Sequence, residues 1–493
     1  MNPTDRVPPS LFEAEEKETE AMRNRVSHVL LMCLFAAFQT GFAGLPSITH
    51  YGLHVQFLLS EQRIRTVAAI SIRNDTRASS ASISLLLYRL LAVEQVKDHS
   101  GGPLGFAQRV IPLSDAPSLQ AREVTVFLPS PLAPGDSMSM TVTYSGFMFG
   151  YPEVMAYVND RIDEAYSLLR PDALAFPIIA DTTFASVLAS YDTRFTYDVV
   201  ATVPRGYTAA CGGAFLRRRD LSDSTTFEFR SQTPTWRMDL AVARFSVLRD
   251  TAGTLMVYYL PEDSTGAANV LHASRNVVAL YSGMFGSPVH SRGYTIIEIP
   301  EGWGSQAGDF YFLQTAASFR DSSRIGEVYH EIGHSWNAKS TGDVQRCRYF
   351  DEAFASFFEP LALRSFKGEG AFRERMESIR DAFAGKAVQD PEVYGTPIAD
   401  YGKKELGRHS YTKGAWSLYV LYSLVGEKTF DLIIRALLRE FGGRAIDFSE
   451  FQMLCERVSK RPLAAYFREW IYGTESSRLM VEKIPMTEIT ARY

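Results

Sequence analysis

Two histidines and a glutamate lie close together in the segment HEIGHSWNAK, which runs from His330 to Lys339. His330 and His334 are four residues apart, so on a helix their imidazoles project from one face. Two neutral imidazoles placed in this way can bind one Zn²⁺ ion. Glu331 follows the first histidine and can take a proton from a water bound to the metal. The pattern therefore predicts a zinc site with its own general base, although HExxH alone also occurs by chance.

A third ligand is needed, because a catalytic zinc ion takes three protein ligands and leaves one position open for water. The segment FDEAFASFFE, residues 350–359, reads as the start of a second helix with a phenylalanine-rich apolar face. Glu352 stands near the first turn of that helix, and seventeen residues separate it from His334. A glutamate in this position is also favoured by the helix dipole alone. After HExxH, however, we interpret Glu352 as the third ligand of one Zn²⁺ ion per chain.

Three motifs together make the chain resemble the zinc aminopeptidases of the aminopeptidase N type, a group of gluzincins. They are HEIGHSW, FDEAFASFFE and the sequence YTKG at residues 411–414. That family shows HExxHxW, then a glutamate ligand in a W-L-N-E-G-like segment, then YxKG. Residues 50–146 are similar to its N-terminal β domain, and residues 414–470 are similar to the helices that close its catalytic domain.

The resemblance implies a zinc metallopeptidase that acts on peptide or protein substrates. It also implies that the strand around residues 304–312 offers its edge to an extended peptide. The residues implied in the chemistry are His330, His334 and Glu352 as zinc ligands, Glu331 as the general base and Tyr411 as a hydrogen-bond donor to the transition state. His409, two residues before Tyr411, is interpreted as a surface histidine.

Two departures from the family pattern are visible. The interval between His334 and Glu352 is one residue shorter than the family norm, which a loop deletion can absorb. The second departure concerns the GxMEN motif, which the exopeptidases of the family carry about twenty-four residues before the first histidine ligand. The glutamate of that motif grips the free α-amine of the substrate. Here residues 300–308 read PEGWGSQAG, so Gln306 stands where the glutamate belongs.

A neutral amide can accept a hydrogen bond from an ammonium group but supplies no charge. We therefore take Gln306 and Gly304 as candidate substrate-binding residues and expect altered recognition of the α-amine. Glu301 could replace the missing acid, but we interpret it as a solvated loop residue, as exposed glutamates usually are. Whether the protein is an exopeptidase or an endopeptidase stays open.

The composition is that of an ordinary globular protein. The chain has 493 residues, 46% hydrophobic and 22% charged, which is enough for two or three domains. A net charge of −5 without basic runs indicates no nucleic-acid partner. The four cysteines form no CxxC pair, which argues against cysteine zinc ligands and against a disulfide framework.

The N-terminal segment indicates export. Residues 1–25 are polar and rich in glutamate, a composition typical of disorder. Arg23 and Arg25 then precede an apolar run from Val29 to Phe38 and the small-residue stretch GFAG, a pattern typical of a secretory signal peptide. An uncleaved anchor that associates with a membrane is the alternative, since residues 29–45 are marginal in length for a span. We expect a periplasmic, extracellular or lumenal protein.

Strand patterns dominate from residue 51 to about residue 247, where apolar and polar residues alternate between turn signals. Beyond residue 250, strand patterns at 255–260, 294–299 and 309–313 mix with helical ones at 267–284, 324–338, 351–366, 369–386, 412–425 and 428–441. We therefore predict the α+β class. The predicted order is a tail with a signal peptide or anchor (1–45), a β-sandwich or saddle domain (46–249), a thermolysin-like zinc catalytic domain with a mainly helical C-terminal part (250–475) and a C-terminal tail (476–493).

Two functions of different class stay open. In the first, the protein is an active zinc metallopeptidase, either an aminopeptidase with altered amine recognition or a peptidase that tolerates blocked N-termini. In the second, it is a catalytically silent, peptidase-like binding or scaffold protein. The complete set of ligands, base and tyrosine favours the first, because changes in a metal site's ligands usually accompany lost catalysis.

Overall fold

The structure is a computed structural model of the chain, and it describes residues 44–287, 293–442 and 444–493. The apolar run predicted as a signal peptide or anchor lies outside these residues. Within the described part of the chain, no helix is long and apolar enough to cross a membrane.

Residues 44–245 are built mainly of β-strands, and we call them the β region. It includes a short helix, α1 (Phe184–Ser190). Its strands are β1 (Ser47–Leu58), β2 (Arg63–Arg73), β3 (Ser80–Tyr88), β4 (Leu91–Asp98), β5 (Phe106–Leu113), β6 (Ala116–Leu132), β7 (Ser137–Phe147), β8 (Ser167–Leu169), β9 (Ile178–Ile179), β10 (Thr196–Pro204), β11 (Thr208–Cys211), β12 (Ala214–Asp220), β13 (Ser224–Arg230) and β14 (Leu240–Ala243).

These strands form three sheets. The seven-stranded sheet has the order β12-β13-β10-β1-β2-β7-β4, the four-stranded sheet β5-β6-β3-β9, and the three-stranded sheet β11-β14-β8. Every second residue of β2 is buried, as at Ile64, Ala68 and Ile70, which is the period expected when one face of a sheet covers a core. The seven- and four-stranded sheets share that core, so the β region is a sandwich.

Residues 246–493 mix strands with helices, and we call them the C-terminal region. Its strands are β15 (Ser246–Arg249), β16 (Leu255–Tyr259), β17 (Tyr294–Ile299), β18 (Gln306–Gly308) and β19 (Tyr311–Thr315). Its helices are α2 (Ser264–Phe285), α3 (Ala317–Arg320), α4 (Ile325–Gly333), α5 (Gly342–Arg346), α6 (Phe354–Lys367), α7 (Glu369–Gln389), α8 (Pro391–Gly395), α9 (Lys413–Val425), α10 (Glu427–Phe441), α11 (Phe448–Ser459), α12 (Ala464–Trp470), α13 (Glu475–Val481) and α14 (Met486–Thr490).

The strands of the C-terminal region form one five-stranded sheet in the order β15-β16-β17-β19-β18. β16, β17 and β19 are parallel, while β15 and β18 run antiparallel to their neighbours. β18 is thus the outer strand at one end of the sheet formed by the described residues, and it packs beside α4. The helices share an aromatic-rich core that includes Trp336, Phe354 and Phe358. Sheets in the first half and helices in the second confirm the predicted α+β class, whereas the predicted domain boundaries stay predictions.

A separate apolar cluster joins the two regions. It contains Leu168 and Ala241 from the three-stranded sheet, and Ile297, Trp303 and Leu313 from the five-stranded sheet and the loop beside it. The three-stranded sheet therefore packs on the five-stranded sheet. As a result, β18 and β19 lie where the two regions meet.

Two helices near HExxH differ from their predicted form. The helix predicted over residues 324–338 is α-helical only to Gly333 and continues as a 3₁₀ turn, His334–Trp336. The helix predicted from residue 351 begins as a π-helical turn, Tyr349–Ala353, before α6. A hydrophobic period near 3.6 residues cannot distinguish these turns from an α-helix, because each lasts for only a few residues.

Candidate metal centre

Helices α4 and α6 pack against each other at two glycines of α4. Gly326 and Gly333 lie seven residues apart on α4 and both face α6. A Cβ atom at Gly333 would lie 3.3 Å from Ala355 Cα, and one at Gly326 would lie 2.6 Å from Glu359 Oε1. Because glycine carries no side chain, the two helices approach closely here. The side chains at the ends of α4 and at the start of α6 can therefore meet.

The π-helical turn Tyr349–Ala353 places the third predicted ligand. Arg348, just before it, has a left-handed backbone with φ of 59°, so the chain reverses direction as it leaves α5. Tyr349 and Phe350 are buried in the core, and this fixes the turn while Glu352 faces the histidines of α4. The shortened interval after His334 therefore does not keep Glu352 from the site.

The three predicted ligands converge. Glu352 Oε2 lies 3.2 Å from His330 Nε2 and 3.5 Å from His334 Nε2, and one donor atom from each residue lies within 4.8 Å of the others. Zn–N bonds of about 2.0–2.1 Å in a tetrahedral site put neighbouring ligand atoms about 3.3–3.4 Å apart. Both distances to the carboxylate fit this value, and two imidazoles with one carboxylate are a donor set that zinc favours.

Asp351 and Arg348 surround the ligands. His334 Nδ1 lies 2.7 Å from Asp351 Oδ1, and Asn337 Nδ2 donates to the same oxygen at 2.8 Å. Arg348 donates to Asp351 Oδ2 at 2.9 Å and also to Glu352 Oε1. The Nε2 atom of His334 is therefore left for a metal, since a carboxylate engages the other ring nitrogen.

These charges set the ionisation of the cluster. Burial alone would lower the pKa of the His334 imidazole, but Asp351 and Glu352 raise it to about 9. Burial alone would raise the pKa of Glu352, but Arg348 and His334 lower it to about 2. A metal ion would therefore meet an ionised Glu352 and compete with a proton for His334.

Glu331 is the predicted general base, and it lies half-buried on α4 between the two histidines. Burial raises the pKa of its carboxyl group above the ordinary value, although His330 and His334 act in the opposite direction. A raised pKa makes a carboxylate a better proton acceptor. The environment of Glu331 therefore suits proton transfer.

Tyr411, the predicted transition-state donor, lies beside His330. Its ring stacks on the His330 ring, with centroids 5.8 Å apart and planes 8° from parallel. Tyr411 is 37% exposed, so a molecule that approaches from solvent can reach it. Burial and the Glu352 carboxylate raise the pKa of the phenol, which keeps the hydroxyl protonated and able to donate.

The residues around Tyr411 hold it in place. Lys413, in the same YxKG motif, is fully buried, and its Nζ donates to Thr396 O at 3.2 Å and to Ser477 Oγ at 3.0 Å. Burial lowers the pKa of Lys413 to about 7. The interpretation of His409 as a surface histidine is wrong, because its side chain is buried beside Tyr401. The apolar packing of helix α9 draws this whole segment inward.

Gln306 and Gly304 lie in and just before the outer strand β18. The Nε2 atom of Gln306 makes a long hydrogen bond of 3.4 Å to Asp172 Oδ1, and its Oε1 is buried with no partner among the described residues. Gly304 has φ of 68°, and a Cβ there would lie 3.0 Å from Tyr157 Cβ. Both residues thus contact the β region. Their roles in substrate binding stay predictions.

Glu301 is exposed, as predicted. Its Oε2 accepts a hydrogen bond from the Ala317 backbone N–H at 3.1 Å, and Arg324 lies 3.6 Å from its other oxygen. These contacts occupy the carboxylate at the start of α3.

Sequence reasoning missed Asp351 and Arg348. Asp351 directly precedes the predicted ligand Glu352, so an acid next to a zinc ligand was the available signal. The side chain of Asp351 reaches His334 only because the turn containing it is π-helical rather than α-helical. Arg348 precedes Asp351 and Glu352 by three and four residues, and this spacing, at which opposite charges meet along a helix, was the available signal.

Comparison with known proteins agrees with this geometry. Residues 310–470 match the model of the Peptidase family M1 domain, and no match was found among curated proteins. The matched segment includes β19, both histidines, Glu352 and Tyr411. The resemblance to aminopeptidase N-type zinc peptidases of the gluzincin group is thereby confirmed.

Solved structures of similar fold are described as M1 zinc metallopeptidases. The M1 zinc metallopeptidase from Deinococcus radiodurans is 18% identical, with 88% of this chain and 94% of that chain covered and a TM-score of 0.62. A glutamate-to-alanine mutant from the same organism, bound to the substrate Tyr-Ser-Ala, is also 18% identical, with 86% and 94% covered and a TM-score of 0.62. At this identity the likeness shows the fold, a β domain followed by a largely helical one.

The family match supports a peptide hydrolase that uses zinc. It does not itself assign a role to any single residue. Those roles rest on the positions of the side chains described above.

We predict that His334→Ala and Glu331→Gln separate metal binding from proton transfer. His334→Ala should lose both zinc and activity, because two protein ligands hold zinc poorly. Glu331→Gln should keep stoichiometric zinc and lose most turnover, because it removes the base and leaves the ligands in place. Zinc is measured by mass spectrometry after dialysis against a weak chelator, and full zinc retention by His334→Ala would contradict the assignment.

A third variant, Asp351→Asn, probes the carboxylate that engages His334. We expect zinc affinity to fall about 10–100-fold, the usual effect of losing such a partner of a ligand histidine. Affinity is measured by competition with a chromophoric chelator. Asp343→Asn is the control, since Asp343 also pairs with an arginine, Arg346, but on the surface of α5. Equal zinc affinities for the two variants would show that Asp351 does not support the metal site.

Proposed function

We propose that this chain, whose residues 310–470 form a Peptidase family M1 domain, is a zinc-dependent peptidase with altered recognition of the substrate α-amine. The observation that carries the proposal is the convergence of His330, His334 and Glu352 at distances suited to zinc. Glu331 and Tyr411 lie beside this cluster and provide a base and a hydrogen-bond donor.

The residues of the site divide the work of peptide hydrolysis. A Zn²⁺ ion held by His330, His334 and Glu352 would supply a Lewis acid that polarises the scissile carbonyl and acidifies a water molecule. Glu331, with its raised pKa, takes the proton of the attacking water and later passes it to the leaving amine. Asp351 engages Nδ1 of His334 and so leaves Nε2 as the atom that would bind the metal.

Tyr411 acts on the charge that develops during the attack. The carbonyl oxygen becomes an oxyanion in the tetrahedral intermediate, and a neutral donor stabilises it. The Tyr411 phenol stays protonated and is partly exposed beside His330. It can therefore donate to an oxygen that forms in front of the ligands.

Recognition of the α-amine is the point at which this chain departs from the family pattern. Position 306 holds a neutral amide, and the nearest carboxylate, Asp172, is paired with Arg237 at 2.7 Å. An ammonium group would therefore meet little net negative charge here. We propose that the enzyme distinguishes weakly between free and blocked N-termini.

We also propose that the protein is exported. The support is the N-terminal sequence, in which Arg23 and Arg25 precede an apolar run and a small-residue stretch. A tagged full-length chain should be found outside the cytoplasm after cell fractionation. N-terminal sequencing of the recovered protein distinguishes a cleaved signal peptide from a retained anchor, and recovery in the cytoplasm alone would refute export.

The direct test of function is turnover by the zinc-loaded protein of an aminoacyl fluorogenic substrate and of its N-acetylated form. We expect both to be cleaved, with less than a thousandfold difference in kcat/KM. A difference above a thousandfold would mean that another acid holds the amine. Stoichiometric zinc without turnover of any peptide would favour a silent binding or scaffold protein.

Gln306→Glu should strengthen binding of free-amine substrates by about 1–2 kcal/mol, the difference between a charge-assisted and a neutral hydrogen bond. The new carboxylate would lie beside Asp172, and repulsion works against it. The double variant Gln306→Glu/Asp172→Asn keeps the number of acids constant, so we expect the larger gain there. The measurement is KM for free and acetylated substrates, and equal changes for both would contradict an amine contact at position 306.

Tyr411→Phe removes only a hydroxyl group. If the phenol contacts the oxyanion, the contact forms in the transition state and its loss lowers kcat while KM stays nearly constant. We expect a loss of about 10²–10³-fold, the usual cost of one such donor, with unchanged zinc content and melting temperature. A loss below about fivefold, well under that range, would exclude Tyr411 as the oxyanion donor.

A further inference from the structure

β18 and β19 form a hairpin, which we call the edge hairpin, at the end of the five-stranded sheet. Gln306 pairs with Leu313 and Gly308 pairs with Tyr311. Asp309 and Phe310 form the turn, and Phe310 has a left-handed backbone with φ of 62°. The hairpin contacts α4, since β18 packs beside that helix. Because α4 carries His330, we call it the metal helix. Its three-residue strand is short, so pairing with β19 alone fixes it weakly.

The β region contacts the edge hairpin at three places, which are its turn, the start of β19 and the start of β18. At the turn, Arg194 donates to Asp309 Oδ2 at 2.8 Å. At the start of β19, Tyr311 OH donates to Asp239 Oδ2 at 2.6 Å. At the start of β18, Gln306 Nε2 donates to Asp172 Oδ1 at 3.4 Å. The partners in the β region are far apart in sequence but meet along one side of the hairpin.

Of these three contacts, the one between Tyr311 and Asp239 is the most deeply buried. A Cβ atom at Gly212 of the β region would lie 2.4 Å from the Tyr311 ring, and one at Gly308 would lie 2.1 Å from it. The ring therefore fits between two stretches of backbone that carry no side chain. Its position depends on both regions at once.

One buried ionic chain joins the contacts at Tyr311 and Gln306. Arg237 donates from Nε to Asp239 Oδ2 at 2.6 Å and from Nη2 to Asp239 Oδ1 at 2.9 Å. The same Nη2 lies 2.7 Å from Asp172 Oδ2. The side chains of Asp239, Arg237 and Asp172 are 0%, 3% and 10% exposed.

The charges of this ionic chain hold its three side chains in fixed positions. Burial works against the charge on Asp172, but Arg237 and Arg170 hold its pKa below the ordinary value. Asp239 accepts two charge-assisted hydrogen bonds from the Arg237 guanidinium, and Asp172 forms an ion pair with the same group. Any shift of Asp172 or Asp239 would leave a buried charge without its partner, so both carboxylates are fixed in position.

We propose that Asp172, Arg237 and Asp239 are positioning residues that hold the edge hairpin in register with the metal helix, through Gln306 at one end and Tyr311 at the other. The proposal rests on the proposed function, and it assigns to the β region a part in substrate binding. An extended peptide that pairs with the outer edge of β18 uses its backbone groups, so the position of β18 decides how well it binds. None of the three residues contacts the reacting atoms.

Tyr311→Phe is the mildest test, because it removes the bond to Asp239 and keeps the ring between Gly212 and Gly308. We expect hydrogen exchange to accelerate in residues 306–315, and zinc content to stay constant. The KM of an internally quenched hexapeptide should rise about three- to tenfold, as expected for the loss of one or two backbone hydrogen bonds. The KM of an aminoacyl coumarin amide, which has few backbone groups, should change less than twofold, and kcat should change little for either substrate.

Two further variants separate positioning from stability. Asp172→Asn weakens the other end of the ionic chain. Because both substitutions act through Arg237, its effect on the KM of the hexapeptide should be less than additive with that of Tyr311→Phe. Glu359→Gln is the control. It weakens an ion pair with Arg375 between α6 and α7, which is more exposed than the Arg237 pairs, and it should lower stability without changing the ratio of the two KM values.

The outcomes distinguish the two proposals. Unchanged exchange in residues 306–315, equal KM changes for both substrates, or additive effects of Tyr311→Phe and Asp172→Asn would each overturn the positioning role. A wild-type protein that binds zinc but cleaves neither substrate would instead refute the proposed function, and the positioning of a substrate strand would be refuted with it.

Discussion

The meeting of two imidazoles and one carboxylate at a single point is the constraint on which the other features of the site depend. Bringing Glu352 to His330 and His334 buries the Glu352 carboxylate and places it beside the half-buried Asp351 and the partly exposed Arg348. A buried charge without a partner costs several kcal/mol, and here the charges alternate so that each has one. The close packing of α4 on α6, permitted by Gly326 and Gly333, makes this arrangement possible.

The β region also contributes contacts that hold the edge hairpin beside the metal helix. Its three-stranded sheet packs on the five-stranded sheet, and its buried ions reach the hairpin that borders the metal helix. Apolar packing holds the two regions together without direction, whereas the ionic contacts fix distances and angles. Apolar packing and ionic contacts together suit the peptide-binding edge that we propose at β18. Such an edge must keep its position to within a fraction of an ångström to hold an extended peptide.

Much of this protein could be predicted from local patterns. The zinc ligands follow from the four-residue spacing of two histidines and from a glutamate that opens the next helix, and the strands of the sandwich follow from alternation with period two. Patterns of this kind failed at His409, where a polar residue is buried by helices remote in sequence. They also missed Asp351, because the contact with His334 depends on a π-helical turn.

The sequence by itself therefore determined the class of fold and indicated the zinc ligands and the general base that we propose, because each depends on residues that are near one another along the chain. Only the tertiary structure decided what surrounds them. Asp172, Arg237, Asp239 and Tyr311 are separated by as many as 139 positions, from 172 to 311, and they meet because two sheets pack together. Such contacts leave no local period, since the geometry that creates them belongs to the folded chain and not to any segment of it.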